Sequence, residues 1–403
     1  MRVRYLILLV LVIFVCVSAL NAGPRERTEN VESIRDNLPI GENGPPGGGS
    51  GGGNDVDSDD DESDDEEQAC TRHAKLMHRA CFADRKDSLL VHKADCLYVT
   101  PEEDRQECHA EALEEAAENA DICDSVFEAR LDLCDLLGEQ PFDVEFDPAD
   151  FVDPDEIGNS VDPNPYWPLT AGHTSVILAE GEVVVVTATD EIQDVGGLPC
   201  RVIRDLVFEE AMEEGEVEYE AIEVTQDWYA QHLNGDAIYC GENTYEIEDG
   251  LIDNTDGSFA NGTDRAVAGY LVRANPIIGS GDRQEMASDE AEDYVKYLSL
   301  ATTPSAEEGG DVPAYPCAGG CLQTFELNPR DPDGAEHKYY LPGTGFVLAS
   351  KLDESGEPTG EREEVSCIGT SLDILNDPSC GIADPAALFD ALCLSAPEAL
   401  CVD

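Results

Sequence analysis

The residues of this chain whose types and spacing could do chemistry fall into three sets. His73 and Met77 stand one helical turn apart, and an imidazole and a thioether on one helix face are donors that hold copper. Asp147, Asp150, Asp153 and Asp155 crowd hard carboxylate oxygens into a short stretch, which suits Ca2+ as the cofactor, although the stretch lacks the glycine and terminal glutamate of an EF-hand loop. The third set is the 15 cysteines. For the histidine and the aspartates the plainer reading is a solvated surface. No HExxH, Walker A, Rossmann glycine or CxxC pattern occurs, and among so many carboxylates no hydrolytic dyad stands out.

The cysteines must be positioned by helices. Cys70, Cys81, Cys96, Cys108, Cys123 and Cys134 are separated by 11, 15, 12, 15 and 11 residues, a palindrome about residue 102. At about 100° per residue, gaps of 11 and 15 keep each trio on one helix face. Paired from the outside in, Cys70–Cys134, Cys81–Cys123 and Cys96–Cys108 staple two antiparallel helices over residues 69–138. Thr100-Pro101-Glu102-Glu103 reads as the start of the second helix, with Thr100 as N-cap. The inner pair requires the connecting loop to fold back.

Residues 1–22 read as a secretion signal: Arg2 and Arg4 precede an apolar run from Tyr5 to Val17 that is short for a membrane span. Cys16 offers lipid attachment as an alternative to simple cleavage. Export and many cysteines agree on an oxidising location, periplasmic or extracellular. Residues 23–68 read as a disordered tether, Gly/Pro-rich at first and then acidic, with ten acids among the thirteen residues 55–67. No transmembrane segment is expected after signal removal. The whole chain has 88 Asp+Glu against 23 Lys+Arg, a formal charge of −65. That excludes nucleic acid as a partner, because both surfaces repel. It fits a solvated acidic surface in a salty medium, or cation binding.

Residues 139–163 read as an acidic linker. From Asn164 the pattern turns to β. Val183 to Thr187 and Cys200 to Phe208 are apolar runs, and Asn234-Gly235 between Trp228-Tyr229-Ala230 and Ala237-Ile238-Tyr239 is a hairpin signal. Tyr294 to Leu300, Leu322 to Leu327, His337 to Leu341 and Gly345 to Leu352 bring the total to about ten short strands. With no crossover helices between them, the fold class is α+β: a disulfide-stapled helical hairpin followed by an antiparallel β domain over residues 164–352, as a curved sheet, half-barrel or barrel. Residues 353–403 read as a cysteine-containing appendix.

Six segments have a familiar order: NPYWPL from Asn164, CRVIRD from Cys200, DWYAQ from Asp227, GENT from Gly241, DRQE from Asp282, and KYYLPGTG from Lys338. Over residues 160–352 the chain resembles a largely uncharacterised family of exported bacterial β-domain proteins. The resemblance implies an exported β-rich domain and supplies no catalytic residues. Cys240 stands where the family pattern has an aromatic residue, and Ala171 where it has proline. Cys240 therefore suggests an extra disulfide. Cys200 and Cys321, both on predicted strands, are the preferred pair in the β domain, with Cys317 and Cys240 next; Cys367, Cys380, Cys393 and Cys401 would staple the appendix.

Three functions remain open on these residues. The leading one is an exported, non-enzymatic binding or envelope-interaction protein whose partner is a protein, a lipid or another cell-envelope component. The alternatives are a carrier of an apolar ligand in a β half-barrel and a secreted hydrolase with a carboxylate site.

Overall fold

The computed structural model describes residues 68–396, apart from 214, 249, 310–312 and 354. The signal, Cys16, nearly all of the tether, and Cys401 lie outside the described residues. Helices α1 (Ala69–Cys96) and α2 (Glu102–Leu137) run antiparallel. Cys70–Cys134, Cys81–Cys123 and Cys96–Cys108 join them, with Cα atoms 5.6, 5.8 and 5.7 Å apart. The loop folds back as the inner pair requires: the N–H groups of Leu97, Tyr98 and Val99 donate to the carbonyls of Ala94, Asp95 and Cys96. Pro101, not Thr100, occupies the N-cap of α2, and no side chain caps that end. Glu102, Glu103 and Asp104 fill the first turn, where their charge favours the helix N-terminus.

The β domain is one antiparallel sheet. Its strands are β1 (Thr174–Ala179), β2 (Glu182–Val195), β3 (Leu198–Glu213), β4 (Glu216–Gln231), β5 (Ala237–Glu248), β6 (Leu251–Asn254), β7 (Phe259–Ala260), β8 (Val267–Val272), β9 (Gly281–Arg283), β10 (Glu285–Met286), β11 (Tyr294–Thr302), β12 (Cys321–Asn328), β13 (Asp331–Leu341), β14 (Gly345–Leu352) and β15 (Pro358–Gly369). The order is β10-β8-β5-β4-β3-β2-β1-β15-β14-β13-β12-β11-β9, with β6 and β7 attached to β5. Hairpins set this order. Between β2 and β3, Gly196 and Gly197 both take positive φ, the turn geometry that matches strand twist.

The two ends of that order meet. β9 and β10 are one stretch of chain broken at Gln284; β9 pairs with β11, while β10 pairs with β8. Gln284 Nε2 donates to the Leu271 carbonyl at 3.1 Å across the join. The sheet is thus a nearly closed barrel. Gly269 of β8 lies so close to the Arg283 and Gln284 backbone that a Cβ there would collide with it.

Four expectations change. Among the described residues the sheet has fifteen strands and does not stop at Leu352: β15 pairs with both β14 and β1. Its exposed first half, Thr359 to Arg362, disguises it, and Val365 on the same strand is fully buried. Residues 139–163 are no free linker, because Phe151, Val152 and Ile157 are buried against the barrel and the Val152 N–H donates to the Gln231 carbonyl. Cys200 is not bonded to Cys321. It pairs with Cys240, and Cys317 pairs with Cys321 across the turn entering β12. The sheet order explains this: β2, β1, β15, β14 and β13 lie between β3 and β12, so Cys200 and Cys321 sit on distant walls. In the tail, Cys367 bonds Cys380, and Cys393 is also disulfide-bonded. The tail helix α4 (Pro385–Ser395) covers the outer face of the sheet through Leu388 and Leu392; the short α3 (Ala306–Gly309) lies by β15.

The hairpin docks on the barrel through Arg130, which grips Glu292 with two bonds of 2.8 and 2.7 Å; both side chains are buried. Burial would raise the Glu292 pKa, but the Arg130 bonds and charge more than offset this and hold it low. Removing one partner strands the other charge. Arg130→Met should cost about 3–5 kcal/mol, read as loss of stability in thermal or denaturant unfolding. Gly269→Ala should open the barrel seam, read as faster amide exchange at the β8–β10 pairing.

Candidate functional site

The barrel wall turns acids inward. On β4, Glu223, Thr225, Asp227 and Tyr229 alternate onto one face, as strand geometry dictates. Asp205 joins them from β3, Glu242 and Thr244 from β5, Glu285 from β10, Asp293 from the approach to β11, Glu326 from β12, and Glu363 from β15. All are buried. Lys338 of β13 faces this group, with Nζ 3.1 Å from Glu326 and 3.7 Å from Glu336. Burial alone would lower the Lys338 pKa; Glu326 and Glu336 more than offset this and keep the ammonium charged.

Hydroxyls supply part of the pairing. Tyr239 Oη donates to Asp227 Oδ1 at 2.7 Å, and Tyr229 Oη reaches the same oxygen at 3.3 Å. Thr225 donates to Glu223, Thr244 to Glu242, and both Thr324 and Tyr340 to Glu326. The second oxygens fare differently. Among the described residues, Asp227 Oδ2, Asp293 Oδ1 and both oxygens of Asp205 are buried without a donor, while Glu242 and Glu285 draw further only on the Tyr239 hydroxyl and the Asp293 N–H. A buried carboxylate without a partner is costly, so such a group takes up a proton, an ordered water or a cation.

The electrostatics follow. Burial first, and then neighbouring acids, push the carboxyls of Asp205, Glu223, Glu242 and Glu285 well up from their ordinary range. Burial also raises Asp293, against the pull of Lys338. Asp227 is pushed up to about 7 by burial, held back by the Tyr239 and Tyr229 hydroxyls. Asp227 is the common neighbour: its charge acts on Asp205, Glu223, Glu242 and Glu285.

The residues singled out by sequence lie elsewhere. Asp147 and Asp153 accept from the N–H groups of Ala149 and Asp155 and so cap two short 3-10 turns, while Asp150 is exposed and Asp155 lies 3.6 Å from Arg201. The four do not converge. His73 Nε2 lies 3.0 Å from Ser288 Oγ of the barrel, and burial lowers its pKa; Met77 is half-buried on the same helix. Among the described residues, one set of three potential metal ligands lies within 4.8 Å, His92, Cys96 and Cys108, and its sulfurs are bonded to each other. The interior carboxylates are more widely spread.

In sequence little separates the interior acids from the solvated ones, yet the six motifs hold many of them. CRVIRD holds Asp205, DWYAQ holds Asp227 and Tyr229, GENT holds Glu242 and Thr244, DRQE holds Gln284 and Glu285, and KYYLPGTG holds Lys338 and Tyr340. Asn164 of NPYWPL braces the same end: its side chain accepts from the N–H groups of Tyr166 and Trp167 and donates to the Gly235 carbonyl. The aromatic residues Trp228, Tyr229, Tyr339 and Tyr340 are buried core members.

No family model and no curated protein matches the chain. Two crystal structures align with parts of it at 9% identity. One is a protein assigned as a lipoprotein from Parabacteroides distasonis, with a TM-score of 0.25, covering 52% of this chain and 100% of its own. The other is a protein assigned as exported, with a YmcC-like fold, from Bacteroides fragilis, with a TM-score of 0.21, covering 51% and 98%. Likenesses of this size settle nothing about activity. Among the described residues no helix is long and apolar enough to cross a membrane.

Folding raises the interior carboxyl pKa values above their unfolded ones, so the native state holds protons that the unfolded chain releases. The stability linked to them is complete below the unfolded carboxylate range. It is lost as pH rises from about 4 through the folded values, about 7 for Asp227. In cation-free buffer, unfolding free energy should fall across that window by up to about 1.4 kcal/mol per pH unit for each group titrating. Asp227→Asn should flatten the slope.

Proposed function

We propose that the chain is an exported, non-enzymatic binding protein whose barrel interior holds small hard cations. The observation that carries this reading is the set of buried carboxylate oxygens without a donor around Asp227. Carboxylates are hard donors that suit Ca2+ or Mg2+. The oxygens are not preassembled into a tight nest, which disfavours the rigid octahedron of Mg2+ and suits the larger, more adaptable coordination of Ca2+. Export is supported by the signal-like N-terminus and by disulfides in hairpin, barrel and tail alike.

The rival readings meet physical objections. An aliphatic chain would lie against Asp205, Asp227 and Glu242, none of which it can satisfy. A hydrolytic dyad needs a cleft open to a substrate, and Asp227, Glu242 and Glu285 are fully buried. A bare ion needs far less room than either.

Native mass spectrometry before and after EDTA, together with thermal unfolding in added Ca2+, tests the reading. The expected outcome is a chelatable mass and a rise in Tm, both lost in the Asp205→Asn/Glu285→Gln variant. A clean polypeptide mass and an unchanged Tm in Ca2+ would sink it and leave the acids as a protonated structural network.

A further inference from the structure

The outer face of the hairpin carries a regularity separate from the cysteine register. On α1, Arg72, Arg79, Lys86 and Lys93 recur every seven residues, and Leu76, Ala83 and Leu90 recur at the same interval, with Leu97 next at the helix C-cap. On α2, Glu107, Glu114, Asp121, Glu128 and Asp135 do likewise. Seven is the repeat that keeps one stripe of a helix against a partner helix. At about 100° per residue, the α1 stripe lies roughly 160° round from the α1 cysteines, and the α2 stripe roughly 170° round from its own. Both therefore face away from the disulfide seam. Leu76 is 53% exposed, Leu90 57% and Leu97 65%, and all five acids of the α2 line are exposed.

Charge selects the occupant. α1 has six Lys/Arg against three Asp/Glu, in a chain of net charge −65. α2 has thirteen Asp/Glu against two arginines. Of the contacts two hairpins can make, α1 on α1 and α2 on α2 repel, and α1 on α2 attracts. The two lines share one period, so a basic residue of α1 can meet an acid of α2 at each heptad, with the leucines between them covered.

We infer that the hairpin is a self-association element: the outer face of α1 on one copy seats the outer face of α2 on the next. Because the two faces lie on opposite sides of the hairpin, each copy both gives and receives. The contact is heterologous, so assembly proceeds head to tail and ends as a ring or an open row.

Sedimentation or light scattering of the purified full chain over a concentration series provides the test. The wild type should gain mass reversibly with concentration. Arg79→Glu/Lys86→Glu and, separately, Glu114→Lys/Asp121→Lys should each weaken association about tenfold or more. An equimolar mixture of the two variants should restore it, since each altered face then meets its complement; a misfolded variant could not rescue its partner. A wild type that keeps single-chain mass throughout would overturn the inference, as it must if the face serves an acidic helix of another protein. So would variants that associate as the wild type does.

Discussion

Putting carboxylates inside a closed sheet is the constraint on which the rest of this structure depends. A carboxylate moved from water into a protein interior loses hydration that nearby hydroxyls restore only in part. Here one oxygen of Asp227, of Glu242 and of Glu326 accepts from Tyr239, Thr244 and Thr324, and Lys338 supplies a charge to the far wall. The ladder hydrogen bonds of the sheet and the apolar side chains that share the core, Val184, Ile203, Tyr297 and Val365 among them, must offset what remains. Such an interior is stable only while the wall stays shut. That gives the seam at Gln284 an importance beyond its bonds to Leu271, Glu326 and Asp293.

The outer layers reinforce the wall. Phe146 and Phe151 pack over Cys200, Trp228 and Cys240 on one flank, and α4 covers Val183, Leu206 and Phe208 on another. Several strands are therefore buried on both faces, which is why they read as continuous apolar runs and not as clean alternations. The bonds Cys200–Cys240 and Cys367–Cys380 sit within these layers, and Cys317–Cys321 lies in a separate cluster with Tyr339 and Val347. The hairpin adds its own anchor, and Arg130 satisfies Glu292 at the rim so that this acid does not join the crowd inside.

How much of this was legible depended on what set the pattern. The hairpin was legible because covalent pairing leaves an arithmetic trace: Cys70, Cys81 and Cys96 mirror Cys134, Cys123 and Cys108. The central strands were legible because turns such as Asn234-Gly235 punctuate them. β15 was not, because Thr359 to Arg362 are exposed, and its two buried apolar residues face different ways, Val365 into the interior core and Cys367 under the tail helix. The site was the least legible part. In a chain with 88 acids, period-two placement of Glu223 and Asp227 does not distinguish an inward carboxylate from a solvated one. The pairing of Cys200 failed for a related reason: strand neighbours are a property of sheet order, which sequence spacing does not encode. The acids at Asp147 and Asp153 drew attention by density, and their density reflects turn capping.

The pairing of β1 with β15 has a consequence for how the chain is made. The first strand of the barrel has its second neighbour within a few residues, but its other neighbour is the last strand, ending at Gly369. A chain synthesised from its N-terminus presents β1 long before β15 has been made. Until then one edge of β1 bears unpaired N–H and C=O groups, and the acids face water as ordinary ionised side chains. Their mutual repulsion keeps the partial sheet spread and resists premature closure. Folding is thus ordered by topology: the acidic lumen can dehydrate only after β15 has joined β1.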